Sequence, residues 1–245
     1  MTTRTMGGRL FLLAGALGAM LAAPALAGGP RHFPRDRHRP RPAAESTFRL
    51  GLGLFTPDAD SAFWDDTFSV FTGSPDSLED VAIGADLLFP RSRWSAVLVS
   101  LEHQEGTARQ AYRHDPDGFD VWHDTELQVT PLTVGLLFYP AGREGLVPYL
   151  GAGGGLYWWR YREAGDFLIL SDPAKPIEFL AFESDGVTAG YYVLAGLDLP
   201  VGSGWSMFVE GRWQQADDAL GGDFEGEGTI DLSGRSLRAG VAWRF

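Results

Sequence analysis

The most constraining feature of this 245-residue chain is a rhythm that begins near residue 46. Segments of roughly ten residues alternate apolar with small or polar side chains, the length and period of a tilted strand crossing a bilayer. Eight are expected, over about 46–56, 80–90, 94–106, 124–139, 147–162, 187–200, 204–217 and 230–245. The connections switch strictly between short (Pro90 to Arg93, Pro140 to Leu146, Val201 to Gly204) and long (57–79, 107–123, 163–186, 218–229). An even strand count with short turns on one side and long loops on the other is what a closed meander needs when both ends of the chain lie on one side. The expected fold is therefore all-β, an eight-stranded antiparallel up-and-down transmembrane β-barrel.

Within the segments the two faces sort by the strand period of two. Phe48, Leu50, Leu52 and Leu54 oppose Arg49, Gly51 and Gly53; Leu150, Ala152, Leu156 and Trp158 oppose Tyr149, Gly151, Gly153, Gly155 and Tyr157. The apolar set is expected to face lipid. Glycine-rich runs such as Gly151 to Gly155 weaken an ordinary strand. On the inner wall of a narrow barrel they make room for Tyr149, Tyr157 and Tyr192. Aromatics near strand ends are read as interface girdles: Phe89, Trp94, Phe138, Tyr139, Trp205 and Phe245 at the periplasmic rim, with Trp158, Trp159, Tyr161 and Trp213 at the outer rim.

The N-terminus reads as a secretory signal peptide over residues 1–27. Arg4 and Arg9 precede an apolar run from Leu10 to Ala23, and Ala25-x-Ala27 forms the cleavage site. No later stretch offers about 18 unbroken apolar residues, so any membrane crossing is made by strands. Residues 28–45 form a Pro/Arg-rich periplasmic linker, whose stretch 28–42 sets Arg31, Arg35, Arg37, Arg39 and Arg41 against a single acid. A solvated, extended spacer is the simpler expectation; contact of Arg31 to Arg41 with anionic headgroups or cell-wall polymer is the functional one. The barrel takes residues 46–245, with no further domain expected after its last strand. The chain has no cysteine and a formal charge of −12, near −14 once Arg4 and Arg9 leave with the signal peptide. Disulfides, thiol chemistry and nucleic-acid binding are set aside on that basis.

The final strand pairs an apolar row (Ala239, Val241, Trp243, Phe245) with a polar or small one (Arg238, Gly240, Ala242, Arg244). The spacing of Arg238, Gly240, Trp243 and Phe245 resembles the assembly signal of bacterial outer-membrane proteins. With Pro148-Tyr-Leu-Gly-Ala-Gly153 and Asp231-Leu-Ser-Gly234 leading into that strand, residues 46–245 resemble small outer-membrane barrels of the OmpA/OmpX-type and OmpW-like kind. The resemblance implies residence in the cell outer membrane, contact with its lipid and lipopolysaccharide, and delivery to the barrel-assembly machinery. It implies no cofactor. Its members serve structural, adhesive, porin-like and enzymatic roles, so architecture leaves the activity open.

An eight-stranded barrel is just wide enough for side chains to fill. Arg49, Asp86, Glu102, Asp198, Glu210, Arg212 and Arg238 are all expected on the inner face, where charges must pair because an isolated buried charge is costly. Adjacent-strand pairs Arg49 with Asp86 and Glu210 with Arg238 are expected. A structural or surface-interaction role with a mostly plugged lumen leads; a narrow channel for ions or small hydrophobic solutes is the alternative. The first long connection carries Asp58, Asp60, Asp65, Asp66, Asp76 and Glu79, and the last Asp218, Asp223, Glu225 and Glu227. Asp58-x-Asp60 is only a fragment of a calcium loop, so a solvated acidic surface is expected and no metal site. Apolar runs at 167–170 and 177–182 are read as extensions of strands five and six. No catalytic residue is expected: Ser100 and His103 fall on opposite faces, and His114 and His123 are read as loop residues among acids.

Overall fold

The computed structural model describes residues 45–113, 121–143, 145–169 and 176–245. The expected signal peptide, most of the basic linker and His114 lie outside the described residues. Eight long strands close into a barrel: β1 (Thr47–Pro57), β2 (Asp80–Pro90), β3 (Ser95–Ala111), β4 (Trp122–Phe138), β5 (Val147–Leu168), β6 (Ile177–Gly202), β7 (Trp205–Gln215) and, after a small hairpin of β8 (Asp217–Ala219) and β9 (Thr229–Asp231), β10 (Gly234–Arg244). Every neighbour pair is antiparallel. β1 and β10 seal the ring in unbroken register from Thr47 opposite Arg244 to Pro57 opposite Gly234. No helix among the described residues is long and apolar enough to cross a membrane.

The strand period sorts each face as the alternation dictates. Leu52, Ile83, Leu136, Leu150, Val193 and Leu237 stand exposed on the outside, while Arg49, Asp86, Glu102 and Glu210 are buried inside. A continuous apolar wall of this extent is a lipid-facing surface. It ends sharply. Along β3 the outward row passes from Leu101 to His103, Glu105, Thr107 and Arg109; along β5 it passes from Leu156 and Trp158 to Arg160 and Arg162.

Beyond that margin β3 to β6 continue as a four-stranded sheet, further than expected at Ala111, Trp122, Leu168 and Ile177. The long pairing of β5 with β6 runs from Val147 opposite Asp198 to Leu168 opposite Ile177, so most of the expected third loop is strand. The amphipathic sense inverts there. In lipid the strands are apolar outward; in water they are polar outward and carry Leu127, Trp159 and Tyr161 inward.

That inner face is covered by the first and last outer connections. The first folds into α1 (Ala62–Val70) and a 3₁₀ turn (Pro75–Leu78). Phe63, Trp64 and Thr67 form the buried face of α1, while Asp65 sits in its first turn, where an acid complements the helix dipole. Phe63, Trp64 and Leu78 join Leu220, Ile230 and Leu232 from the last connection on Tyr157, Trp159 and Tyr161. The Trp64 indole N–H donates to the Asp231 carbonyl at 3.0 Å. The two edges of the protruding sheet are also satisfied. Thr72 N–H donates to Ala111 O at 2.8 Å, and Glu183 N–H to the Asp223 carboxylate at 2.9 Å.

These contacts correct the expected girdles. Trp159 and Tyr161 are 4 % and 0 % exposed and belong to the cap, and Tyr139, at 1 %, belongs to the interior of the periplasmic end. Trp94, Phe138, Trp205, Trp243 and Phe245 remain outside, with Trp205 and Trp243 stacked at 6.3 Å.

Tyrosines lie over bare glycine backbone inside the wall. Tyr149 is the register partner of Gly196, and a Cβ built at Gly196 would collide with its ring. Gly196→Val is therefore expected to displace Tyr149 and lower stability by about 1–3 kcal/mol, the usual cost of overpacking. The urea midpoint of the vesicle-inserted protein reads this directly.

Candidate functional site

The seven charged residues expected in the lumen come from β1, β2, β3, β6, β7 and β10, and all point inward because each is flanked in sequence by outward residues. Closure of the barrel brings them together. Arg238 is the hub: its Nη2 donates to Asp86 at 2.9 Å and to Glu210 Oε1 at 2.7 Å, its Nε donates to Glu210 at 3.0 Å, and its Nη1 lies 3.3 Å from Glu102. Arg212 lies 3.5 Å from both Glu102 and Glu210 and donates to the Ser100 hydroxyl at 3.2 Å. Its guanidinium stacks over Tyr192 with 4.5 Å to the ring centre.

Arg49 departs from the expected pairing. Asp86 is its register partner on β2, yet the Arg49 guanidinium reaches across the lumen to Asp198 of β6 at 2.5 Å and lies 3.8 Å from Glu210. Asp86 is held instead by Arg238 and by the Ser100 hydroxyl at 2.6 Å. A long guanidinium in a narrow barrel is as close to the opposite wall as to its neighbour, and Tyr149 and Phe208 steer it there, at 4.7 Å and 5.1 Å from its carbon. The expected Glu210–Arg238 pair is present.

Five uncharged residues complete the network, of which the sequence reading places Tyr149 and Tyr192 inward and misses Ser100, Gln104 and Gln214. Ser100, Gln104, Tyr149, Tyr192 and Gln214 are all buried. Gln104 donates to Glu102 at 2.6 Å, Gln214 donates to Gln104 at 3.0 Å, and the Tyr149 hydroxyl donates to Glu210 at 3.2 Å. Their signal was the two-residue step: Ser100, Glu102 and Gln104 share one inward row. Gly84 also matters, since a Cβ there would sit 2.5 Å from Arg238 Nη1.

Three arginines face four carboxylates here, and two apolar layers enclose them. On the periplasmic side lie Leu88, Leu98, Leu137, Tyr139, Val147 and Tyr149. On the outer side lies the cap built on Trp64, Trp159 and Tyr161. In so enclosed a space, charge-assisted ion pairs hold strands from opposite walls together, although Arg49 Nε, Arg212 Nε and Glu102 Oε2 have no hydrogen-bond partner among the described residues. Ser100 faces Asp86 and Arg212, whereas His103 points outward to Thr130 at 2.9 Å. His123 is buried on β4 at 1 % exposure, a correction to its expected loop position.

The acidic outer residues are partly structural. Asp58 lies 3.3 Å from Arg235, Asp218 accepts the Trp159 indole N–H at 2.8 Å, and Glu79 accepts the Thr56 hydroxyl at 2.7 Å. Asp58, Asp60 and Asp231 border a pocket of about 400 Å³ at the outer rim. Among the described residues no three ligating side chains are grouped to hold a metal ion. Of the expected assembly signal, Trp243 and Phe245 are exposed on the lipid side. Arg238 is buried in the network, and Gly240 sits inward against the Leu50 carbonyl, leaving no space for a side chain.

The fold is that of the small eight-stranded outer-membrane barrels, and its apolar belt places it in a bilayer. The chain matches no protein-family model and no curated protein in sequence. Among solved structures it is similar to the outer membrane protein OprG of Pseudomonas aeruginosa, with 14 % identity and a TM-score of 0.53 over 83 % of this chain and 96 % of that one. It is also similar to neisserial surface protein A, with 13 % identity and a TM-score of 0.44 over 82 % and 97 % of the two chains. A third is the outer membrane protease OmpT of Escherichia coli, with 10 % identity and a TM-score of 0.47 over 83 % and 98 %. The likeness to OprG carries the assignment of fold, and at these identities it carries the fold alone.

Proposed function

We propose that this protein is an integral outer-membrane barrel with a structural or surface-interaction role and a plugged lumen. One observation carries the reading: side chains occupy the interior at three successive levels, an apolar floor, a network of paired charges and an aromatic cap. What remains free to meet partners is the outside. The belt takes membrane lipid, and Arg160 and Arg235, just past the apolar rows of β5 and β10, are the proposed contacts for lipopolysaccharide phosphates. Trp243 and Phe245 are displayed for the barrel-assembly machinery, and Arg31 to Arg41 are the candidate periplasmic contact. The role is non-enzymatic. Ser100, the serine buried in the charge network, meets a carboxylate and a guanidinium rather than an imidazole base.

The test is single-channel recording across a planar bilayer with the folded protein. No resolved steps are expected. Glu210→Ala is expected to stay silent as well, because removing one network carboxylate leaves both apolar layers in series. Resolved steps that appear or grow in Glu210→Ala would favour the second reading, a narrow path gated by the network. That reading draws on the continuity of polar contacts from Gln214 through Gln104, Glu102, Arg238, Glu210 and Arg49 to Asp198, whose side chain is 16 % exposed.

A further inference from the structure

Among the described residues, the first and last outer connections and the outer ends of β3 to β6 are tied together by a circuit of aromatic rings. Phe71, just after α1, packs on Tyr112 after β3 at 4.9 Å and on His123 of β4 at 4.2 Å between ring centres. His123 stacks on Phe167 of β5 at 5.0 Å, Phe167 meets Phe182 of β6 at 5.2 Å, and Phe182 meets Phe224 of the last connection at 6.2 Å. Phe224 returns to Phe63 on α1 at 5.9 Å. Among these rings His123 is the member whose ordinary titration lies near neutrality.

His123 is almost fully buried, and neither of its ring nitrogens has a hydrogen-bond partner among the described residues. Its register partner on β3, Gln110, is equally buried, with both amide atoms also unpartnered. A neutral imidazole is tolerated between two phenylalanines. An imidazolium in the same place carries an unpaired charge and two N–H donors, a far costlier state. Cation–π attraction to Phe167 recovers only part of that cost.

The groups around the ring offer little relief. The first connection contributes Phe71, followed by Thr72 and Gly73 without charge. β3 contributes Gln110 and β4 Thr125, while Asp124 lies on the outer face and favours protonation weakly. β5 contributes Phe167 and, along the same inner row, Tyr161 and Glu163 hydrogen-bonded to each other. Tyr112 and Arg113 follow β3, the arginine donating to the Phe68 carbonyl at 2.6 Å and the Gly73 carbonyl at 3.1 Å.

We propose that His123 is an acid-sensitive latch: its protonation releases Phe71 and the first outer connection from the protruding sheet and opens the mouth of the barrel. Burial pushes its pKa from 6.5 down to about 4 in the closed mouth. The closed form is therefore favoured fully above pH 6.5 and loses ground as pH falls from there, by about 150-fold in the closed-to-open ratio on reaching pH 4. Glu163 acts in the opposite sense, since burial raises its pKa and its protonation favours the closed form.

The test places spin labels at Ser69→Cys on α1 and Thr107→Cys on β3. Both positions are exposed, and the chain has no cysteine of its own. In the protein purified from membranes and held in phospholipid vesicles, one narrow distance is expected at pH 7.5. At pH 4 a longer, broader population is expected to grow by up to about 150-fold. His123→Phe, which keeps a ring between Phe71 and Phe167 without a titrating group, is expected to stay narrow at pH 4, and Glu163→Gln to open more steeply. The proposal is overturned if the native distance stays narrow at pH 4 or if His123→Phe broadens equally. Loss of strand content in circular dichroism alongside the distance change would overturn it too, because the change would then not be confined to the mouth.

Discussion

Arg238→Ala is expected to lower the unfolding free energy of the barrel by about 3–5 kcal/mol, the cost of breaking a buried ionic network by removing one partner. Arg238 makes charge-assisted hydrogen bonds to Asp86 and Glu210 and lies 3.3 Å from Glu102. Alanine leaves three carboxylates with 1 % exposure or less to Arg212 and to Arg49, whose closer partner is Asp198 and which lies 3.8 Å from Glu210. The measurement is urea unfolding in lipid vesicles followed by tryptophan fluorescence. A second substitution, Glu210→Gln in the Arg238→Ala background, removes one uncompensated charge and is expected to restore part of the loss. A change within about 0.5 kcal/mol would mean that the network contributes no stability.

Trp64→Ala carries the second largest effect, and its consequence is local. The indole is 0 % exposed, packs against Phe63, Phe68 and Tyr161, and donates to the Asp231 carbonyl. Truncating such a side chain costs about 3–5 kcal/mol. Because α1 touches the cap rather than the membrane-embedded wall, the loss falls on docking of the first outer connection. Cleavage within residues 58–79 by a protease added outside is expected to accelerate by at least about 100-fold while strand content is unchanged. Equal cleavage rates in the two proteins would show that Trp64 does not hold the cap.

Much of the wall is legible in the sequence because its rule is local. A residue's face depends only on whether its position is odd or even along the strand, so Arg49, Asp86, Glu102, Glu210, Arg212 and Arg238 can be placed inward without knowing any neighbour. The protruding sheet is less legible for an equally physical reason. Past the lipid margin the apolar row moves from the outer to the inner face, so Trp159 and Tyr161 look like interfacial aromatics until water, rather than lipid, is known to lie outside Arg160 and Arg162. His123 looks like a loop residue for the same reason. The row parity of Tyr157, Trp159 and Tyr161 already contained the correction.

Strand number, strand direction, the lipid face and the inventory of lumen charges follow from the sequence by itself, because each depends on spacing between near neighbours. Which charges pair, and what closes the mouth, were decided by the tertiary structure. Arg49 and Asp198 are 149 positions apart, and Trp64 and Asp231 are 167 apart. Such contacts exist only because ring closure sets opposite walls within reach of one side chain and lets a nine-residue helix and a small hairpin fold over a shared aromatic face. Alternation along a strand carries no record of distance across the barrel.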